Sequence, residues 1–238
     1  MRPYRADLHI HSILSPCAAL EMAPAAIISN AKKRGLDMIA LSDHNSTLNC
    51  EVTVALGREA GISVLRAAEV TSAEEVHSLV ILPDENAMLG FQKWLERHST
   101  HAPHDPEIFG YQLVVDVHEN IVAEIDHFLT AALDASLEEV GAAAHSLGGL
   151  FIPAHIDRQS FSITSQLGFI PEELFVDAVE VVGGMTDLLY PVVRNSDAHM
   201  PEHIGRRFTT YMLENPSFEE LALALRGEKG RHIISVTP

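Results

Sequence analysis

The run Asp7-Leu8-His9-Ile10-His11 carries two imidazoles at i and i+2, a spacing that on a strand aims both at one point, as metal ligation requires. By alternation Asp7, His9 and His11 share a face, with Leu8 and Ile10 on the other. Asn195-Ser196-Asp197-Ala198-His199 repeats the device far along the chain, again with Asp197 and His199 on one side. Between them Ser42-Asp43-His44 ends one strand-like run, Glu69 ends another, His77 begins a third and His155 ends a fourth. Singly, each has an ordinary alternative: a core histidine bonded to a carbonyl, or a carboxylate capping the next helix. Jointly they put metal-competent groups at the ends of six strands, which points to a metal centre.

These groups need strands to carry them. Hydrophobic patterning predicts strands over 5–12, 38–44, 64–71, 77–83, 150–156, 178–182 and 192–198. Helices are expected from Pro24 to Gly35, from about Thr47 to Gly61, near 87–98, and from the Ser136–Glu139 capping box to Gly148. Seven strands mostly separated by helices predict an α/β fold with a parallel sheet. Alternation turns Met38, Ala40, Ser42 and His44 inward, with Ile39 and Leu41 toward helices. In such barrels functional groups gather at C-terminal strand ends, yet His77 stands at the start of its strand. The stretch 84–135 breaks the pattern with a helix, a Pro- and His-rich loop and a hairpin over 112–117 and 121–125. It is too small to bury a core alone, so the chain reads as a single domain over 1–238 with an elaboration at about 84–135.

Asp7 to Ser12, Leu41 to His44, Glu69, His77, Pro153 to His155 and Asn195 to His199 together resemble the successive motifs of the PHP (polymerase and histidinol phosphatase) superfamily. The resemblance implies a distorted seven-stranded (β/α)7 TIM-like barrel and two or three divalent ions, zinc, manganese or iron. It implies one ion on His9, His11, Glu69 and Asp197, and a second on Glu69, His77 and His155. A third falls to His44 and His199, with Cys17 where the family commonly has Asp or His. Cys17 reads equally as a small hydrophobe; as a thiolate it favours a softer ion than magnesium. The implied activity is hydrolysis of a small phosphate monoester or nucleotide, with the ions making hydroxide from bound water and polarising the phosphoryl oxygens. Arg158, three residues after His155, is the candidate phosphate grip, ahead of Arg194, Arg206 and Arg207; each also reads as an ion-pair residue. Asp7 and Asp43 are expected to orient histidines, and Asp157 to do the same or donate a proton.

Composition narrows the substrates. The formal charge is −17, with four lysines and no basic stripe, which disfavours long nucleic acid. A 3'-5' exonuclease on single strands, a non-catalytic metal-binding module and a C–N hydrolase are the alternatives. The two cysteines and the lack of an apolar leader or membrane-length run lead to the expectation of a cytoplasmic protein with no membrane partner; oligomeric state is not encoded legibly. His98, His101 and His104 belong to the Pro-rich loop and read as solvated.

Overall fold

Short connections and capping residues determine how this chain turns back on itself. In the computed structural model, which describes residues 1–183 and 188–237, the order opens with β1 (Arg2–Ile10), α1 (Pro24–Lys33), β2 (Met38–Leu41), α2 (Cys50–Ala60) and β3 (Ser63–Thr71). It continues with β4 (His77–Leu82), α3 (Glu85–His98), α4 (Pro106–Phe109), β5 (Leu113–Val115), β6 (Ile121–Glu124), α5 (Leu137–Ser146) and β7 (Leu150–Pro153). α6 (Ile163–Leu167), β8 (Val179–Glu180), β9 (Val192–Val193), β10 (Thr209–Leu213), α7 (Phe218–Arg226) and β11 (His232–Val236) complete it. The expected caps are present: Pro24 opens α1, and Ser136 and Glu139 form a reciprocal capping box on α5. None of the described helices is long and apolar enough to cross a membrane.

The fold is α/β, built on a curled seven-stranded sheet of order β11-β10-β1-β2-β3-β4-β7. One face buries Ala6, Leu8, Met38, Ala40, Leu65, Ala67, Leu79 and Ile152; the other buries Ile10, Ile39, Leu41 and Val64 with apolar residues of the helices. The inward placement of Met38 and Ala40 is as expected.

Three features differ from the sequence reading. The sheet is not mainly parallel: β1, β2 and β3 are, but β4 runs antiparallel to β3 and β7. The connection from Thr71 to His77 is too short for a crossover, so the chain must reverse. That reversal explains His77: it pairs opposite Thr71, at the same edge as the C-terminal ends of its neighbours.

Second, among the described residues β8 and β9 pair only with each other, and β10 and β11 complete the seven. Among the described residues the ladders do not close into a full barrel. Main-chain bonds from Asp177 N to Phe151 O and from Ile156 N to Glu180 O link β7 to β8, and a bridge joins Ile10 to Ala198. The strands predicted over 150–156 and 192–198 are shorter, ending at Pro153 and Val193, and the segments beyond them turn through left-handed His155 (φ 31°) and Asp197 (φ 50°).

Third, Leu8 and Ile10 do not share a face. Between Asp7 and Ile10 the register with β2 shifts: Asp7 pairs with Ile39 and Ile10 with Leu41, so Leu8 and His9 both stand against Ala40. This bulge turns His9 inward and leaves Asp7 on the opposite face. The Ser42 hydroxyl accepts the Ile10 N–H that the ladder leaves free, at 3.1 Å.

The elaboration contains the expected hairpin, β5 with β6. It is fastened to the loop after β1: Leu113 N donates to Ile13 O, while the Asn49 side chain bonds Leu113 O and Val115 N. Gly110 (φ 95°) touches Pro16 so closely that any Cβ would collide with its carbonyl.

Candidate metal centre

Glu69, at the end of β3, is the hub. Its buried carboxylate lies 3.1–3.3 Å from ring nitrogens of five histidines: His9, His11, His44, His77 and His155. Strand reversal brings His77 there, the bulge turns His9 in, and the left-handed turn at Asp197 presents its carboxylate 3.4 Å from His9 and 3.3 Å from His11.

Three groups of potential ligand atoms lie within 4.8 Å of one another: His9, His11, Glu69 and Asp197; His44, Glu69 and His77; and His11, His44 and His199. The first has the membership expected from the sequence. In the second His44 stands where His155 was expected, although His155 Nε2 is 3.1 Å from Glu69. The third joins His44 and His199 through His11. Cys17 is exposed and belongs to none of the three.

Whether a cation suits these residues is answered by their unsatisfied atoms. His9 Nε2, His11 Nε2, His44 Nδ1, His77 Nε2 and His155 Nδ1 are buried without a hydrogen-bond partner. A carboxylate oxygen stands 3.2–3.4 Å from His9 Nε2, His11 Nε2 and His44 Nδ1 without making a hydrogen bond, whereas His77 and His155 turn their other ring nitrogens to Glu69. Each buried orphan costs roughly 1–3 kcal/mol, a penalty that ligation would remove. Four ligands at zinc-like bond lengths stand roughly 3.4 Å apart. The His9 and His11 contacts to Glu69 and Asp197 span 3.2–3.4 Å. The donor set fits a group of divalent ions.

Electrostatics agree. Burial opposes charge on His9, yet Glu180, Glu69 and Asp197 outweigh it and raise its pKa well above the usual value. His11 is likewise raised to about 9, burial being overcome by Asp197 and Glu69. Burial pushes His44 far down, and takes His199 to about 4 with help from His11. Glu69 and Asp197 fall below the carboxylate range despite burial, because imidazoles surround them. The carboxylates that favour positive charge on His9 and His11 would equally favour a cation among them, and ligation requires those rings neutral.

The supporting residues differ from those expected. Asp7 makes no hydrogen bond to a histidine; it accepts the N–H groups of Ser196 and Gly205, fixing the segment that carries Asp197. Burial raises its pKa to about 6. Asp43 acts one step removed, accepting from Ser15 Oγ at 2.7 Å, and that hydroxyl faces His11 Nδ1 at 3.0 Å. Glu180 was missed. Its oxygens lie 3.0 and 3.1 Å from His9 Nδ1 and also accept His155 N and Asn195 Nδ2. A lone carboxylate inside the apolar run Ala178-Val179-Glu180-Val181-Val182 was the available signal.

Arg158 reaches the centre, its Nη2 2.6 Å from Asp197 Oδ2, with the side chain about one-third exposed. Asp157 turns away, and both its oxygens accept main-chain N–H groups, of Val182 and Gly183. Arg206 and Arg207 donate to carbonyls of Asn195 and Ser196, and Arg194 to those of Gly183 and Thr237.

Residues 7–148 match the family model of the PHP domain. Along 99% of its length the chain is 24% identical to the uncharacterised protein YqxK of Bacillus subtilis, covering 65% of that protein. The lesion-specific endonuclease Q of Pyrococcus furiosus shares the fold with TM-score 0.73 and 22% identity, over 99% of this chain and 58% of that one. A Bifidobacterium adolescentis protein provisionally assigned as a metal-dependent phosphoesterase superposes with TM-score 0.55 and 20% identity, over 82% and 87%. The chain therefore spans less than two thirds of the length of YqxK and of the endonuclease.

Proposed function

Since this chain belongs to the PHP domain family, we propose that it is a metal-dependent phosphoesterase acting on small phosphate monoesters or nucleotides. The observation that carries the reading is Glu69, one buried carboxylate ringed by five imidazoles. His9, His11, Glu69 and Asp197 would hold one ion; Glu69 with His77 and His155, both 3.1 Å from its Oε1, would hold a second; His44 and His199 would go to a third, with Cys17 as its further ligand. Bound divalent ions supply an activated water and polarise phosphoryl oxygens.

The chain's own residues do the positioning. Arg158, already at Asp197, has further N–H groups to offer a phosphoryl oxygen, and its planar fork suits that task. Glu180 fixes the ring of His9, and Ser15 that of His11. Asp157, engaged by two main-chain donors, steadies the 182–183 segment, which makes it a poor choice for proton donor. We read residues 1–238 as one domain of distorted-barrel type, because the apolar cluster outside the sheet includes Val115, Leu133 and Ala135 of the elaboration.

The test is release of phosphate from aryl phosphates and mononucleotides with added manganese or zinc, lost on chelation. No turnover of any ester with any metal would refute it. A second reading, cleavage of a phosphodiester in damaged DNA, is favoured by the likeness to endonuclease Q, the nearer of the two folds compared. Nicking of a duplex bearing an abasic site, with mononucleotides untouched, would put it first.

A further inference from the structure

The loop after His155 carries a side chain that metal ligation does not use. Phe161 is 40% exposed, although its ring lies parallel to that of His77, 17° between planes and 4.7 Å between centroids. With one face on His77, the exposed area is the opposite face and the edge. Its backbone is left-handed (φ 54°), a conformation rare for a bulky residue and held only where surroundings over-determine it.

The surroundings do so here. Phe161 O accepts the N–H of His77 at 2.9 Å, Ser162 Oγ donates to Arg158 O at 2.7 Å, and Ser162 caps α6. One hydrogen-bonded loop therefore presents Arg158 at Asp197 and an open aromatic face above His77. A side chain meant only to shield His77 would gain from burying that face.

We propose that Phe161 is a stacking platform that makes the centre selective for phosphate esters whose leaving group carries a flat ring, nucleoside phosphates above all. The proposal rests on the phosphoesterase reading. His77 meets Glu69 through Nδ1, at the edge of its ring, so the cluster lies beside the stack, and a base on the open face of Phe161 would sit two ring layers up from the His77 plane, an offset that a ribose can span. Stacking is tolerant of base identity, so selection is for a ring and not for one base.

The test compares kcat/KM for adenosine 5'-monophosphate and for glycerol phosphate in wild type, F161L, F161A and F161W. Expected is a fall of about tenfold or more in the nucleotide-to-glycerol ratio for F161L and F161A, with F161W keeping the ratio. Equal losses on both esters would overturn the proposal and leave Phe161 as a shield. Calorimetric binding of the same two ligands reads the platform without turnover. If no ester is hydrolysed the phosphoesterase reading fails, but weaker binding of the nucleotide alone in F161L still supports stacking. No preference for the nucleotide in wild-type binding would sink it.

Discussion

Two regions of this molecule are rich in histidine, and only one is built to hold cations. At the sheet edge His9, His11, His44, His77 and His155 are buried, stand on or beside strands, and crowd one carboxylate. In the elaboration His98 pairs with Asp134 near the surface, and His101 and His127 meet edge to face at 4.8 Å. His104 is sandwiched beside Phe128, and none of the four joins a potential ligand group. What separates the regions is the backbone beneath. Strand ends fix the direction of a side chain and supply buried carboxylates, whereas a Pro-rich loop does neither.

The comparison breaks hardest at Glu69. Replacing it by Gln should lower metal content and reduce phosphate release on the order of a thousandfold; metal analysis beside turnover checks this. Next comes Glu180, which never meets an ion in this account. Glu180→Gln should weaken metal affinity by about 10- to 100-fold, read by competition with a chelator, and unchanged affinity would mean that His9 needs no second partner. Arg158→Ala should lower kcat/KM by about thirtyfold, since a hydrogen bond to a charged group is worth about 2 kcal/mol. Its metal content should stay at the wild-type level.

Much of this site was legible because its ligands obey chain-local rules. His9, His11, Asp197 and His199 sit in short motifs, and Glu69 and His155 end apolar strands. The topology was less legible. Pairing partners depend on contacts far apart in sequence, so β10 and β11 escaped notice; every other residue of β10 is buried, but β11 is largely exposed and lacks alternation. A one-residue bulge moved Asp7 off the histidine face, because period-2 reasoning assumes an unbroken ladder. Glu180 was hidden by its strand, read only as apolar core.

A smaller effect belongs to that C-terminal region. Arg231 holds Glu220 below the ordinary glutamate range through their hydrogen bonds. A depressed carboxylate contributes stability above its unfolded pKa, and the contribution is lost as pH falls through the folded value. Unfolding midpoints should therefore drop below about pH 4, and Glu220→Gln should flatten that part of the profile. Smallest of all, alanine at His98, His101 and His104 together should leave turnover within about twofold, since none of the three joins a potential ligand group. A large loss there would erase the contrast between the two regions.

The most direct measurement is elemental analysis of the purified protein after reconstitution with manganese or zinc, made in parallel on Glu69→Gln and on the triple histidine variant of the elaboration. The account predicts about two or three ions per chain, after three clustered ligand groups, in the wild type and the triple variant, and fewer than about one in Glu69→Gln. Equal loading of all three proteins, or none in the wild type, would contradict it.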